Sequence, residues 1–210
     1  MQEYHLRRRS LIAACSALLS VAMLPARAAG DEAVLAPVQR LIDSLLSIMK
    51  AGMATPFQLR FATLGPVIDQ SFDLATILKE SVGSTWATLP PDQQSMLADA
   101  FRRYTVASYV NSFDSYNGQR FDVLPQTRTV GADQVVQTRL IPKAGESHEL
   151  DYVVRQGSSG WRVVDVLAEG SISRVAVQRS DFRRLLSRGG AQALADSLRA
   201  KSADMSGGGS

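Results

Sequence analysis

Apolar residues recur at Val38, Leu41, Ile42, Leu45, Ile48 and Met49 with polar residues between them, and the pattern stops near Gly52-Met53. Steps of three and four place these side chains on one stripe, so residues 34–51 are predicted to form an amphipathic helix. A second apolar-periodic segment runs from Phe57 to about Ile68, and a third from Leu74 to Val82, stopped by Gly83. Pro90-Pro91-Asp92 then opens a long helix, because proline is tolerated in a first turn whose N–H groups lack partners anyway. Its inner face is Leu97, Phe101, Tyr104 and Ser108, widened by Ala100, Ala107 and Val110.

After Gly118 the period shortens. The runs QRFDVLPQT, DQVVQTRLIP, HELDYVVRQ and WRVVDVLAE are short, rich in β-branched and aromatic residues, and separated by turn-forming residues, which predicts four strands. GSSG between Gln156 and Trp161 makes the last two a hairpin. Leu150, Tyr152 and Val154 alternate with Asp151, Val153 and Arg155, so one set faces a core or cavity and the other is the more exposed. Residues 171–178 read as a further strand or a bridge. Ser180-Asp181 caps a short helix that ends at Gly189-Gly190, and residues 191–201 form the last helix. Helices first, then an antiparallel sheet, then closing helices define an α+β domain with a helical cover.

The N-terminus changes the meaning of the charge. LRRRS is followed by the apolar run LIAACSALLSVAML and by small residues at Ala26 and Ala28, the order of a secretory leader. The apolar run is shorter than the ~20 residues that span a bilayer. Residues 1–28 are therefore expected to be a cleavable signal peptide, cut after Ala28 or Ala29, with export by the general secretory route. Arg8-Arg9-Ser10-Leu11 matches a twin-arginine signal only weakly. Cys15 sits too close to Ser10 to end a lipoprotein leader and is read as filler. Residues 29–202 form the expected domain and residues 203–210, ending in SGGGS, a flexible tail.

Removing residues 1–28 takes away four arginines and one glutamate and leaves 19 basic and 19 acidic residues. A chain without net positive charge is a poor match for nucleic acid, whose binding rests on phosphate neutralisation. The remaining chain has no cysteine, which excludes disulfides, thiol nucleophiles and thiolate metal sites. At 210 residues and 45% hydrophobic content, stability must come from packing in a single domain.

Candidate chemistry narrows by elimination. His148 is the single histidine after the leader, so a two-histidine zinc site is excluded, and no metal or other cofactor is expected. No phosphate-cradling glycine loop is present. Asp165 and Glu169 lie four apart, ~13 Å along a strand, unless a turn at Ala168-Glu169-Gly170 brings them together. They read as a sheet-edge acceptor and a turn residue, and no catalytic residue is assigned. Phe101, Tyr104, Tyr109, Phe113, Tyr116, Phe121, Tyr152 and Trp161 gather where the long helix gives way to the sheet, as either a core or the wall of an apolar pocket.

GWRVVDVLAEGSISRVAVQRSDF, Gly160 to Phe182, resembles the C-terminal signature of the MlaC or toluene-tolerance family: a Trp-led strand, an Asp, an acid-Gly turn, and a segment ending at an aromatic. FDLATILKESVGSTWATLPPDQQSMLADAFRRY is similar to the middle helices of that family, and the resemblance covers residues 34–202 in order. YVNSFDSYNGQRFDV, Tyr109 to Val123, looks most like the hopanoid-associated HpnM branch. The resemblance implies an NTF2-like sheet-and-helix domain enclosing an apolar cavity, and a periplasmic, non-enzymatic lipid carrier for phospholipid or hopanoid. The implied partners are an inner-membrane ABC transporter with an MCE-type protein or an RND-type exporter, and an outer-membrane lipoprotein complex.

The expected lipid-contacting residues are Phe101, Tyr104, Tyr109, Phe113, Val123, Leu140, Leu150, Tyr152, Val154, Val166 and Ser171. Ser171 departs from the family pattern, where an apolar residue is commoner. Two other readings fit the same residues: a small-substrate enzyme using Asp165 or Glu169 as base, and an adaptor of a membrane complex that binds no lipid.

Overall fold

The structure, a computed structural model, describes residues 26–207; most of the expected leader over residues 1–28 and the last three residues of the chain lie outside the described residues. Five α-helices, α1 (Ala26–Ala51), α2 (Phe57–Ser71), α3 (Leu74–Val82), α4 (Pro91–Ser112) and α5 (Arg174–Met205), accompany five strands. The strands β1 (Arg120–Val130), β2 (Asp133–Ile141), β3 (His148–Gly157), β4 (Gly160–Ala168) and β5 (Ile172–Ser173) form one antiparallel sheet in chain order. The expected α+β architecture is the observed one.

Local chemistry sets the helix ends. The α1 stripe Val38, Leu41, Ile42, Leu45 and Ile48 is at most 2% exposed, and the helix stops where Gly52 takes φ 63°. Asp73 caps α3: its carboxylate accepts from the Thr76 N–H at 3.0 Å and the Thr76 hydroxyl at 2.7 Å. Pro91 occupies the first turn of α4. Helix α1 begins at Ala26, well before the expected residue 34.

The core lies between the helices and one face of the sheet. Leu41, Leu45, Leu64, Ile68, Leu97 and Phe101 meet Val136, Tyr152, Val154 and Val163 there. Between α2 and α3 the chain is pinned to the sheet, since Phe72 bridges to Val163 and the Asp73 N–H donates to the Val163 carbonyl at 2.9 Å.

Three expectations are corrected. The segment 171–178 is not a strand: after the short β5, α5 starts at Arg174, and the Ser173 hydroxyl caps it by accepting from the Ala176 N–H at 3.0 Å. Val175, Gln178 and Phe182 then share one helical face, although Ile172, Val175 and Val177 look strand-like in sequence. The two helices do meet at Gly189 and Gly190 as expected, with Gly190 at φ 64°, but the first of them starts at Arg174 and runs through Ser180-Asp181, which cap nothing. The tail expected from residue 203 begins in helix, which runs to Met205, whose sulfur accepts from the Ser108 hydroxyl at 3.7 Å.

The third correction concerns Asp151, expected on the more exposed face but only 4% exposed. The face away from the helical core is covered too, Val135 being 1% and Val164 3% exposed. Asp151 accepts from the Thr138 N–H at 3.4 Å, and burial pushes its pKa above the ordinary carboxylate value. A raised folded-state pKa means that the native state holds this proton more tightly than the unfolded chain does. The ionised group therefore destabilises the fold at neutral pH, and the effect vanishes below the model-peptide value of 3.8. Asp151→Asn, which retains an acceptor for Thr138, is expected to raise the urea midpoint at pH 7 and to lose that advantage as pH falls towards 3.8, measured by urea titration across pH.

An apolar cavity between the long helices and the sheet

On α4, Phe101, Thr105, Ser108, Tyr109 and Ser112 follow one another at helical spacing and form one wall of a cavity of about 350 Å³. The facing wall is the end of the β3–β4 hairpin, where Leu150 pairs with Ala168 and Tyr152 with Val166. Alternation along both strands sends these four side chains to the same side. Leu74 and Ile77 of α3 and the first turn of α5, Arg174, Val175 and Gln178, complete the enclosure. The volume lies in the range of small-molecule sites, ~300–1,000 Å³.

Aromatic rings connect the cavity to the rim of the sheet. Phe72 and Tyr109 have centroids 5.6 Å apart, Tyr109 stacks on Phe113 at 6.0 Å with 14° between planes, and Phe113 lies 6.0 Å from Phe121. Such offset and tilted pairs add roughly 0.5–1.5 kcal/mol each beyond area burial. Burial raises the pKa of both Tyr109 and Tyr152, so each phenol stays a neutral donor.

Of the residues singled out in the sequence, Phe101, Tyr104, Tyr109, Phe113, Leu150, Tyr152 and Val166 line this cavity. Val123, Leu140, Val154 and Ser171 do not. Val154 is fully buried in the core beyond a bulge in the β3–β4 pairing. Val123 and Leu140 sit on β1 and β2, opposite Thr138 and Phe121. Ser171 is exposed in the β4–β5 turn, with its hydroxyl donating to the Glu169 carbonyl at 3.4 Å. Trp161 belongs to the far end of β4, in a shallow groove with Pro37 and Arg40.

Sequence reasoning missed Phe72, Leu74, Ile77, Arg174, Val175 and Gln178. The spacing of Val175, Gln178 and Phe182 carried the signal for the last group, and its β-branched neighbours obscured it. Thr105 and Ser112 were legible as the continuation of the α4 stripe.

The two carboxylates have separate structural duties. Asp165 shares the cavity lining, but its carboxylate accepts from the Val166 N–H at 2.8 Å, the Val175 N–H at 3.1 Å and the Ser173 hydroxyl. It thereby holds the start of α5 and places negative charge at that helix end, where it is favourable. Glu169 is exposed in the turn at φ 50°, beside His148 Nδ1 at 3.3 Å. The turn does not join them into a pair: one lines the cavity and the other faces solvent.

Residues 39–200 match the family model described as MlaC protein. The chain belongs to the MlaC family. Among solved structures, a phospholipid-binding protein from Ralstonia solanacearum, determined in complex with a phospholipid, superposes with a TM-score of 0.71 at 23% identity. The match covers 82% of this MlaC-family chain and 98% of the Ralstonia chain. No curated protein matches the sequence. Among the described residues no helix is long and apolar enough to cross a membrane.

Asp165→Ala removes the acceptor that joins β4 to α5 and is expected to cost about 1–2 kcal/mol of stability. A lowered urea midpoint with an unchanged slope is the expected result. An unchanged midpoint would show that Ser173 alone fixes the helix start.

Proposed function

We propose that this chain is a periplasmic lipid carrier, which takes the apolar part of a phospholipid or hopanoid into the cavity between α4, α5 and the β3–β4 hairpin. The observation that carries the reading is the cavity itself, lined by Phe101, Tyr104, Leu150, Val166 and their neighbours. Each buried CH₂ is worth ~0.8 kcal/mol, so a sixteen-carbon chain crossing water unaccompanied would lose roughly 12 kcal/mol. A pocket that returns most of this lets a lipid cross an aqueous gap. Membership of the MlaC family and the phospholipid in the Ralstonia protein support the same reading.

In this scheme the leader over residues 1–28 delivers the chain to the periplasm. The carrier then exchanges lipid with an inner-membrane ABC transporter bearing an MCE-type protein, or an RND-type exporter, and with an outer-membrane lipoprotein complex. The aromatic run from Tyr109 to Val123, which supplies Tyr109, Phe113 and Phe121 to the ring series, favours the hopanoid-associated branch. With Asp165 engaged at the start of α5 and Glu169 in solvent, no residue is assigned to catalysis.

Native mass spectrometry of the protein released from its own periplasm tests the proposal. The expected species has lost 28 or 29 residues and carries one lipid per chain, recoverable by organic extraction. A lipid-free chain that also stays empty when offered phospholipid and hopanoid would overturn the carrier reading and favour an adaptor.

A further inference from the structure

At about 350 Å³ the cavity lies at the low end of the range for small-molecule sites, and a two-chain lipid is larger than the molecules that fill such sites. One wall must therefore part to admit it. The walls differ in how firmly they are held. The β3–β4 hairpin lies inside the sheet, with β2 on one side and β5 on the other. Leu97, Phe101, Val106 and Val110 anchor α4, and the nine-residue α3 buries Ile77, Leu78, Ser81 and Val82.

Residues 174–188 of α5 are held more lightly. Over about four turns they bury only Val175 and Phe182, whereas residues 191–205 bury Ala191, Leu194, Ala195, Leu198 and Ser202. The light segment also lies between two glycine joints. Gly170, at φ 68°, precedes it in the β4–β5 turn, and Gly189 and Gly190 follow it with non-helical backbone. Glycine is required at the second joint: Gly190 takes φ 64°, and a Cβ on Gly189 would lie 2.7 Å from that of Ala193. A few such residues at the end of an element absorb the backbone rotation of a hinge.

The contacts that close the segment on its neighbours are mainly polar. The Ser81 hydroxyl donates to Gln178 Oε1 at 3.1 Å, Arg179 Nε donates to the Glu80 carbonyl at 2.7 Å, and the Val175 N–H donates to Asp165 at 3.1 Å. Phe182 seats edge-on against Phe101 at 6.2 Å. Water can replace the hydrogen bonds at modest net cost. Because Val175 and Gln178 line the cavity, lifting this segment uncovers it.

We infer that residues 174–188 of α5 are the gate of the cavity, swinging away from α3 and α4 about Gly189-Gly190 when the contacts to Asp165, Ser81 and Glu80 open. The inference rests on the carrier reading and supplies its route of entry and release.

The chain beyond the expected leader has no cysteine, so an introduced pair is unique. Glu80→Cys/Arg179→Cys, in the mature protein, is loaded with phosphatidylglycerol bearing a nitrobenzoxadiazole fluorophore. A short bis-methanethiosulfonate reagent then links the two thiols, and release to unlabelled phosphatidylglycerol vesicles is followed by fluorescence. Linking is expected to slow release about tenfold or more, since the hinge motion is barred, and reduction of the link should restore it. Each single-cysteine variant treated with the same reagent should release lipid at the unlinked rate. Arg179→Ala, an exposed change that removes one closing hydrogen bond, is expected to speed release about threefold. Gln192→Ala, beyond the glycine joint, should leave it unchanged.

A linked protein that releases lipid as fast as the unlinked one would overturn the gate and leave a carrier. Equal responses to Arg179→Ala and Gln192→Ala would do the same. Wild type that takes up no labelled lipid would overturn the carrier reading and the gate together.

Discussion

The carboxylate of Asp165 is the joint on which the cavity depends. It projects from β4 and accepts from the backbone N–H of Val175 and from the Ser173 hydroxyl, while that same hydroxyl accepts from the Ala176 N–H. A strand and a helix start are thus locked by adjoining hydrogen bonds between Asp165 and Ala176. The β4–β5 turn makes the reversal possible: Glu169 and Gly170 both have positive φ, 50° and 68°, as primed hairpin turns require at their central residues. Once α5 starts at Arg174, its first turn forms part of the cavity wall, and the rest of the helix packs on α4 and α3.

A cavity forgoes contacts that a filled core would make, so its walls must be held from behind. Here they are. Phe101 meets Phe182 edge-on at 6.2 Å, Phe72 is bridged to Val163, and Leu97, Val106 and Val110 anchor α4 on its core side at 0% exposure. Arg102 grips Asp69 with two bonds of 2.8 and 2.6 Å, and Arg162 donates to the Asp69 carbonyl at 2.8 Å, tying α2 to both α4 and β4. The first pair is partly solvated, so its value lies in geometry more than in net energy.

The helices α1 to α4 and the strands β1 to β4 were legible because burial on one side writes a period into the sequence. The start of α5 was not. Ile172, Val175 and Val177 are β-branched, and Val175 and Val177 alternate as a strand would; the Ser173 cap that overrides this works through Asp165, eight residues upstream. The candidate site was legible in one dimension only. Alternation along β3 correctly put Leu150, Tyr152 and Val154 on one face, but it carries no information about where along the strand the packed core ends and the open space begins. Val154 fell on the core side of that boundary and Leu150 on the cavity side. Asp151 shows the complementary limit, since a period identifies a face and cannot say whether that face meets solvent. The lining residues Tyr109, Tyr152 and Arg174 come from α4, β3 and α5, and no local pattern connects residues so far apart in the chain.

One strand bears on how molecules of this protein meet each other. The sheet has two edges, and β5, at one of them, is only two residues long. β1, at the other, has eleven residues and an open side. Its pairing with β2 loses register between Val123 and Thr127, where Pro125 supplies no N–H. A strand from a second molecule laid along β1 would find a ladder broken in the middle, with a donor missing and the pleat out of phase on either side. The long edge is therefore a poor template for intermolecular sheet growth, which keeps such a chain dispersed when it is crowded with copies of itself.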